Sequence, residues 1–342
     1  MTFCAAPFVH MTQNPDGQYR TCCMYEKPLA GKYKTIKEAF DSEENQVIRK
    51  RMLSGEKLHE CEKCDIDEMH KGKPRLSYRG EFNKHYSQYI DNPSFRSLEI
   101  SVSNKCNFKC IDCGPRFSNQ FGPTLINKLP DPENYKDLDF LKILGGEPFL
   151  DKRNIELIKQ IPRENVRLMF VTNNSIFPKD DVLELLKEFK YLNVNLSIDG
   201  IKEVAEYVRE GTKWSRFERN WSKWMMWMKK ERSVFKDGYV NPHFVFHTLN
   251  APFFKETLDW SNVALHKWSW DFLAYPEWLN MSYAPDPVKN YILEKNPLLK
   301  NPLEKFLNLN SYNKTHFRHL LSKISEVPDQ MEDYIDLFYT SL

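Results

Sequence analysis

The stretch that decides the fold is Leu98-Glu-Ile-Ser-Val102 followed by Ser103-Asn-Lys-Cys106-Asn-Phe-Lys-Cys110-Ile-Asp-Cys113-Gly-Pro115. The first five residues read as a strand. The cysteines then come four and three residues apart on the loop that follows it. Three thiolates on one tight loop can hold three irons of a cubane cluster and leave the fourth iron open. Structural zinc usually takes four protein ligands, so three cysteines alone suit it poorly, whereas soft thiolates suit iron–sulfur clusters. A zinc loop remains the alternative for this spacing taken alone.

Working outward toward the C-terminus, strands alternate with helices. Phe140-Leu-Lys-Ile-Leu144 is a strand that runs into Gly145-Gly146-Glu147-Pro148. Val166–Val171 is a strand that ends at Thr172-Asn173-Asn174, and Leu192–Ser197 one that ends at Ile198-Asp199-Gly200. A helix is expected over Lys179–Glu188, and further strands over Val240–Leu249 and Trp268–Leu273. This rhythm predicts parallel strands with crossover helices, and chemistry at the C-terminal strand ends. Trp214, Phe217, Trp221, Trp224 and Met228 fall three or four apart, which marks a helix face packed on the sheet rather than a ligand site.

Cys-x3-Cys-x2-Cys, in this setting, resembles the signature of radical S-adenosylmethionine (SAM) enzymes. The resemblance covers about residues 1–280 and implies an α/β fold, a partial (β/α)6 TIM-like barrel over 94–280. It implies that Cys106, Cys110 and Cys113 hold a [4Fe-4S] cluster whose open iron chelates SAM. An electron from such a cluster cleaves SAM to methionine and a 5′-deoxyadenosyl radical, which takes a hydrogen atom from substrate. Gly145, Gly146, Glu147 and Pro148 match the family's GGEP motif, with Glu147 accepting from the methionine ammonium. Thr172 and Asn173, with Ser197 and Asp199, stand where the family holds the ribose, and Arg209 where many members carry an arginine near SAM. Asp112 departs from the pattern: an apolar or aromatic residue usually stands there, so no adenine contact is assigned to it.

Working toward the N-terminus, the eight cysteines all lie at or before Cys113. Residues 1–26 read as a β-hairpin about Asn14-Pro15-Asp16-Gly17, because Pro presets a turn dihedral and Gly tolerates positive φ. Thr35 and Glu38 open a helix that should run to about Leu53, before Gly55. Cys4-x12-Gly17-x4-Cys22 and Cys61-x2-Cys64 resemble the SPASM and twitch modules, which bind auxiliary [4Fe-4S] clusters. That resemblance makes residues 1–80 a small auxiliary-cluster domain ligated by Cys4, Cys22, Cys61 and Cys64. A zinc site of four cysteines would look the same in sequence. Adjacent strand residues face opposite ways, so Cys23 should not ligate beside Cys22. It is read as a small buried hydrophobe, with a hydrogen-atom donor or substitute ligand as the alternative.

The 342 residues carry a formal charge of +2 with no run of like charges, so neither nucleic acid nor an acidic membrane is expected as a partner. No stretch is long and apolar enough to span a bilayer, and the start has no signal-peptide pattern, so a cytoplasmic location is expected. Residues 281–342 form a helical C-terminal extension without an interpretable motif. By family analogy the substrate is a peptide or protein side chain, or else a small metabolite. The electron donor would be a flavodoxin or ferredoxin. A non-catalytic iron–sulfur sensor or electron carrier is the runner-up, although it would have no use for a methionine-binding loop.

Overall fold

In a computed structural model, which describes residues 3–71, 77–264, 269–297 and 300–341, the chain divides into two compact units. One comprises Met1–Asn107, Gly114–Asn195 and Ser222–Val240, the other Phe108–Cys113, Leu196–Trp221 and Asn241–Leu342. The strands are β1 (His10–Gln13), β2 (Tyr19–Arg20), β3 (Ser97–Ser101), β4 (Lys109–Cys110), β5 (Phe140–Leu144), β6 (Arg167–Thr172), β7 (Tyr191–Ser197), β8 (Arg209–Glu210), β9 (Asp237–Phe246) and β10 (Ser269–Phe272). The main sheet runs in the order β10-β9-β7-β6-β5-β3-β1-β2. Its pairings β1·β3, β3·β5, β5·β6 and β9·β10 are parallel. This is the expected α/β architecture, a mostly parallel sheet left open as in a partial barrel. The reading of a strand start at Trp268 lies outside the described residues, of which Ser269–Phe272 are strand.

In the first unit the hairpin forms about Gly17, whose φ of +83° only glycine adopts without strain. Phe8 and Val9, expected in the first strand, close a helical turn over Ala6–Val9 instead, with Pro7 in its first turn. Beyond β2, β1 has a second neighbour: it pairs in parallel with β3, His10 opposite Ser97. The helix expected from Thr35 to Leu53 is two helices, Ile36–Asp41 and Glu43–Leu53. Ser42 breaks it by leaving the helical region and accepting from Asn45 N as the N-cap of the second.

One face of this sheet is apolar. Leu98, Ile100, Leu141, Ile143, Leu168, Phe170, Leu192 and Val194 are all wholly buried. The alternate residues, Ser97, Glu99, Lys142, Met169, Asn193 and Asn195, point to the other face. The tryptophan helix spans Trp214–Lys230 and is core, as expected. Trp224, fully buried, meets Phe177 edge-on at 5.1 Å within the first unit, and Trp214 stacks on Phe217 at 5.3 Å within the second.

In the second unit β4 pairs antiparallel with β8, and the C-terminal helices Asp286–Lys295, Lys300–Leu307, Lys314–Leu321 and Glu332–Thr340 bury Phe306, Phe317 and Phe338. Tyr334 OH donates to Thr248 O at 2.6 Å, so the last helix is tied to the segment after β9. No described helix is long and apolar enough to cross a membrane.

Candidate active site and cysteine cavity

The loop into Cys106 is clamped by backbone and amide contacts within the first unit. Asn104, fully buried, donates to Pro115 O and Pro123 O and accepts from Leu125 N. Cys106 N donates to Asn119 Oδ1 at 3.0 Å, and Gln120 Nε2 donates to Cys106 O at 3.0 Å. From the next strand end, Gly146 N donates to Ser103 O (3.2 Å) and Glu147 N to Lys105 O (2.7 Å). The glycines are needed for that approach. A Cβ on Gly145 would lie 2.5 Å from Ser103 O, and one on Gly146 only 2.0 Å from Lys105 O.

Glu147 is 1% exposed. Its carboxylate accepts from Thr172 Oγ1 (2.7 Å), Asn173 N (2.8 Å) and Phe149 N (3.3 Å). It thereby fastens the end of β6 to the end of β5. Asn173 Nδ2 donates to Asn107 Oδ1 at 3.1 Å and lies 3.8 Å from Cys106 Sγ. The structure therefore joins Cys106, Gly145, Gly146, Glu147, Thr172 and Asn173 in one hydrogen-bonded constellation, with Pro148 opening the turn Pro148–Leu150. Asn104, Asn107 and Asn119 complete it; in sequence each is one polar loop residue among many.

In the second unit Cys110 sits opposite Arg209 in the β4·β8 ladder. Arg209 Nη1 donates to Asp199 Oδ2 at 2.6 Å, and Asp199 Oδ1 accepts from Val245 N at 2.9 Å. Burial works against the Arg209 charge, but Cys110, Asp199 and Asp112 outweigh it and hold its pKa above the ordinary range. Arg209 Nε is buried without a partner. Ligand atoms of Cys110, Asp112 and Cys113 lie within 4.8 Å of one another. Burial, reinforced by Asp199, pushes the Asp112 carboxyl up to about 6, and a hydrogen bond with Cys110 together with burial raises Cys113. Ser197 ends β7, two residues before Asp199.

The other four cysteines meet in the first unit. Cys4, Cys22, Cys61 and Cys64 line a cavity of ≈ 330 Å³, counting its open mouth, together with Tyr78 and Arg79. Burial pushes Cys4 up to about 12 and Cys61 to about 11, so these thiols are protonated at neutral pH, and a metal must displace those protons. Arg79, 3% exposed, braces the Cys64 helix through Asp65 (2.7 Å) and Glu68 (3.3 Å). Cys23 does not line the cavity. It turns to the Tyr78 hydroxyl and the Glu99 carboxylate, and it also hydrogen-bonds the Cys22 thiol.

Glu99 belongs to a polar layer on the non-apolar sheet face. Glu99 and Lys142 are cross-strand partners, and Lys142 Nζ donates to Glu99 Oε2 at 2.9 Å. Lys142 is paired in turn with Met169, whose sulfur accepts weakly from Asn195 Nδ2 at 3.8 Å. Tyr78 OH donates to the same Glu99 oxygen at 3.1 Å. Nothing in the motifs of the chain marks this layer.

A profile of the Radical SAM superfamily matches residues 100–260. A probable GTP 3′,8-cyclase of Methanocaldococcus jannaschii is 33% identical over 129 residues, which is 36% of this chain and 42% of that protein. A GTP 3′,8-cyclase of Clostridium botulinum is 28% identical over 114 residues, 31% of this chain and 35% of that one. The chain thus spans about two-fifths or less of the length of these curated relatives. Among solved structures, anSMEcpe with bound AdoMet aligns over 67% of this chain and 68% of its own at 20% identity, with a TM-score of 0.43. Streptococcus suis SuiB bound to precursor peptide SuiA aligns over 79% of this chain and 62% of its own at 17% identity, with a TM-score of 0.39.

Proposed function

We propose that this chain, an enzyme whose residues 100–260 form a domain of the radical SAM superfamily, reductively cleaves S-adenosylmethionine to abstract a hydrogen atom from a small metabolite or a peptide side chain. The family brings SAM and a [4Fe-4S] cluster, and that pair, when bound, supplies a radical able to attack an unactivated C–H bond. The observation that carries the reading is the cradle at Gly146, where backbone stands too close for any side chain and presses the GGEP turn against the Cys106 loop. Glycine there serves close approach rather than turn formation.

The proposed roles follow from placement. Cys106, Cys110 and Cys113 hold the cluster. Gly145, Gly146, Glu147 and Pro148 take the methionine end, with Glu147 the carboxylate for its ammonium. Thr172, Asn173, Ser197 and Asp199 take the ribose side. Arg209, a fixed cation with a spare Nε donor, suits the methionine carboxylate. The four-cysteine cavity is assigned a second [4Fe-4S] cluster. One tetrahedral zinc would draw its sulfurs to about 3.8 Å apart. A cubane spans its thiolates more widely, and the radical SAM match further along the chain supports the cluster over zinc. A flavodoxin or ferredoxin is the proposed electron donor.

For the substrate, a small metabolite is favoured over a peptide, and a purine nucleotide in particular. The support is that curated relatives matching this chain are named for GTP. The test is 5′-deoxyadenosine formation from SAM and dithionite by anaerobically reconstituted protein. It should appear, and should vanish in Cys110→Ala. A wild-type protein with both iron sites filled that neither binds nor cleaves SAM would end the proposal.

A further inference from the structure

Asn193 is 1% exposed, yet neither its Oδ1 nor its Nδ2 has a hydrogen-bond partner. Two residues along β7, Asn195 Oδ1 is also buried and unpartnered, and its Nδ2 reaches only a thioether sulfur. Leaving a buried polar atom unsatisfied costs about 1–3 kcal/mol, and such atoms are uncommon in native interiors. A leucine at position 193 would cost nothing of the kind, so stability does not explain these amides. Their neighbours on β7, Leu192, Val194 and Leu196, are wholly buried on the opposite face. The two carboxamides therefore share the face of Met169, Lys142 and Glu99, and stand about 6.6 Å apart along the strand. Ordinary barrel interiors fill such layers with branched apolar side chains. This one offers the unpaired carboxamide of Asn193, the unpaired Oδ1 of Asn195 and, in the same layer, the Lys142 ammonium held by Glu99.

We infer that Asn193 and Asn195 are specificity-determining residues for a purine nucleotide, an assignment that rests on the substrate reading above. A carboxamide presents one donor beside one acceptor and pairs in two hydrogen bonds with a purine edge that presents the complement. Two such groups on one strand face can read two edge positions of one flat ring system. Lys142 then faces the ring's exocyclic oxygen or the nucleotide's anionic portion. Each amide is satisfied only when the substrate is in place. A ligand lacking the edge leaves it buried and unpaired, which is how a polar site rejects near-analogues.

The experiment is calorimetric titration of the anaerobically reconstituted full chain with GTP, for the wild type, Asn193→Leu and Asn195→Leu, beside thermal unfolding of all three. The wild type should bind GTP. Each variant should bind it at least about fivefold more weakly, since one bidentate pair is worth roughly 5- to 150-fold. The unfolding midpoint of Asn193→Leu should hold or rise, because an unpaired buried amide has been removed. Three results overturn the assignment: a wild type that does not bind GTP, variants that bind it as the wild type does, or a sharp fall in the Asn193→Leu midpoint. The last would mean that internal water satisfies the amide in a structural role. SAM binding by the wild type, measured separately, distinguishes the failures: a protein that takes SAM but not GTP keeps the radical chemistry and loses this site.

Discussion

Gly146→Ala is the sharpest perturbation the structure offers. The added Cβ would fall 2.0 Å from Lys105 O and 2.3 Å from Lys105 C, both backbone atoms that no rotamer change can move. The β5 turn must therefore lift from the Cys106 loop. That breaks Gly146 N to Ser103 O and strains Glu147 N to Lys105 O. Two buried hydrogen bonds contribute about 0.5–1.5 kcal/mol each, and overfilling a tight site costs about 1–3 kcal/mol. The loss of unfolded-chain entropy on replacing glycine returns about 0.4–1 kcal/mol. The net destabilisation is roughly 1–6 kcal/mol, or, for a chain of 342 residues, a fall of roughly 1–8 °C in the unfolding midpoint. Iron analysis and thermal unfolding together make the assay. The variant should lose the iron proposed for Cys106, Cys110 and Cys113, while any iron in the four-cysteine cavity, which Gly146 and Lys105 do not line, should stay. A variant with the wild-type midpoint and full iron content would refute the claim that this contact positions the cysteine loop.

Glu147→Gln replaces one acceptor oxygen by a donor facing Thr172 Oγ1, Phe149 N or Asn173 N, so SAM affinity should drop roughly tenfold or more, read by equilibrium dialysis. Cys110→Ala should abolish 5′-deoxyadenosine formation and leave the iron of the cavity in place; loss of all iron would contradict two separate sites. Arg79→Met removes one partner of a buried ion pair, which costs about 3–5 kcal/mol, and should release the cavity's iron first; retention at full occupancy would show that Arg79 does not brace Cys64. Burial lowers His10 and His247 to about 4 from 6.5. Between those values the unfolded chain binds more protons, so stability is full above pH 6.5 and is lost as the pH falls toward 4, by roughly 3 kcal/mol per histidine. Urea midpoints at pH 7 and pH 5 should differ accordingly, and equal midpoints would refute it.

What could be read from the chain was local. The hairpin turn carries its own dihedral preferences in Pro15 and Gly17, and the cysteine loop, GGEP and Thr172-Asn173 follow short strands that carry apolar residues at alternate positions. What could not be read depends on residues far apart. The pairing of β1 with β3 joins His10 to Ser97, and a four-residue strand has no pattern that names its neighbour. β4 and β8 are two residues each, too short for any periodicity. The helix break at Ser42 was missed because a serine inside a helical pattern is usually tolerated, and only its capping of Asn45 N reveals the break. The carboxamides of β7 were visible as an alternation, Leu192-Asn-Val-Asn-Leu196, which ordinarily signals a strand with one wet face. Here Asn193 on the second face is buried as well, beside half-buried Tyr191, Asn195 and Ser197, and alternation alone does not say so.

The parallel seam between β1 and β3 also bears on how the protein is made. His10–Gln13 leaves the ribosome long before Ser97–Ser101, its parallel neighbour. Until that later segment emerges, the hairpin is a two-stranded ribbon, and such ribbons are marginal in water. Cys4 and Cys22, which flank it, therefore gain a settled position only once the central strands have been synthesised and paired. If the cavity holds a cluster, its iron and sulfide are expected to enter after Ser97–Ser101 has been made and paired, not when Cys4 and Cys22 first emerge.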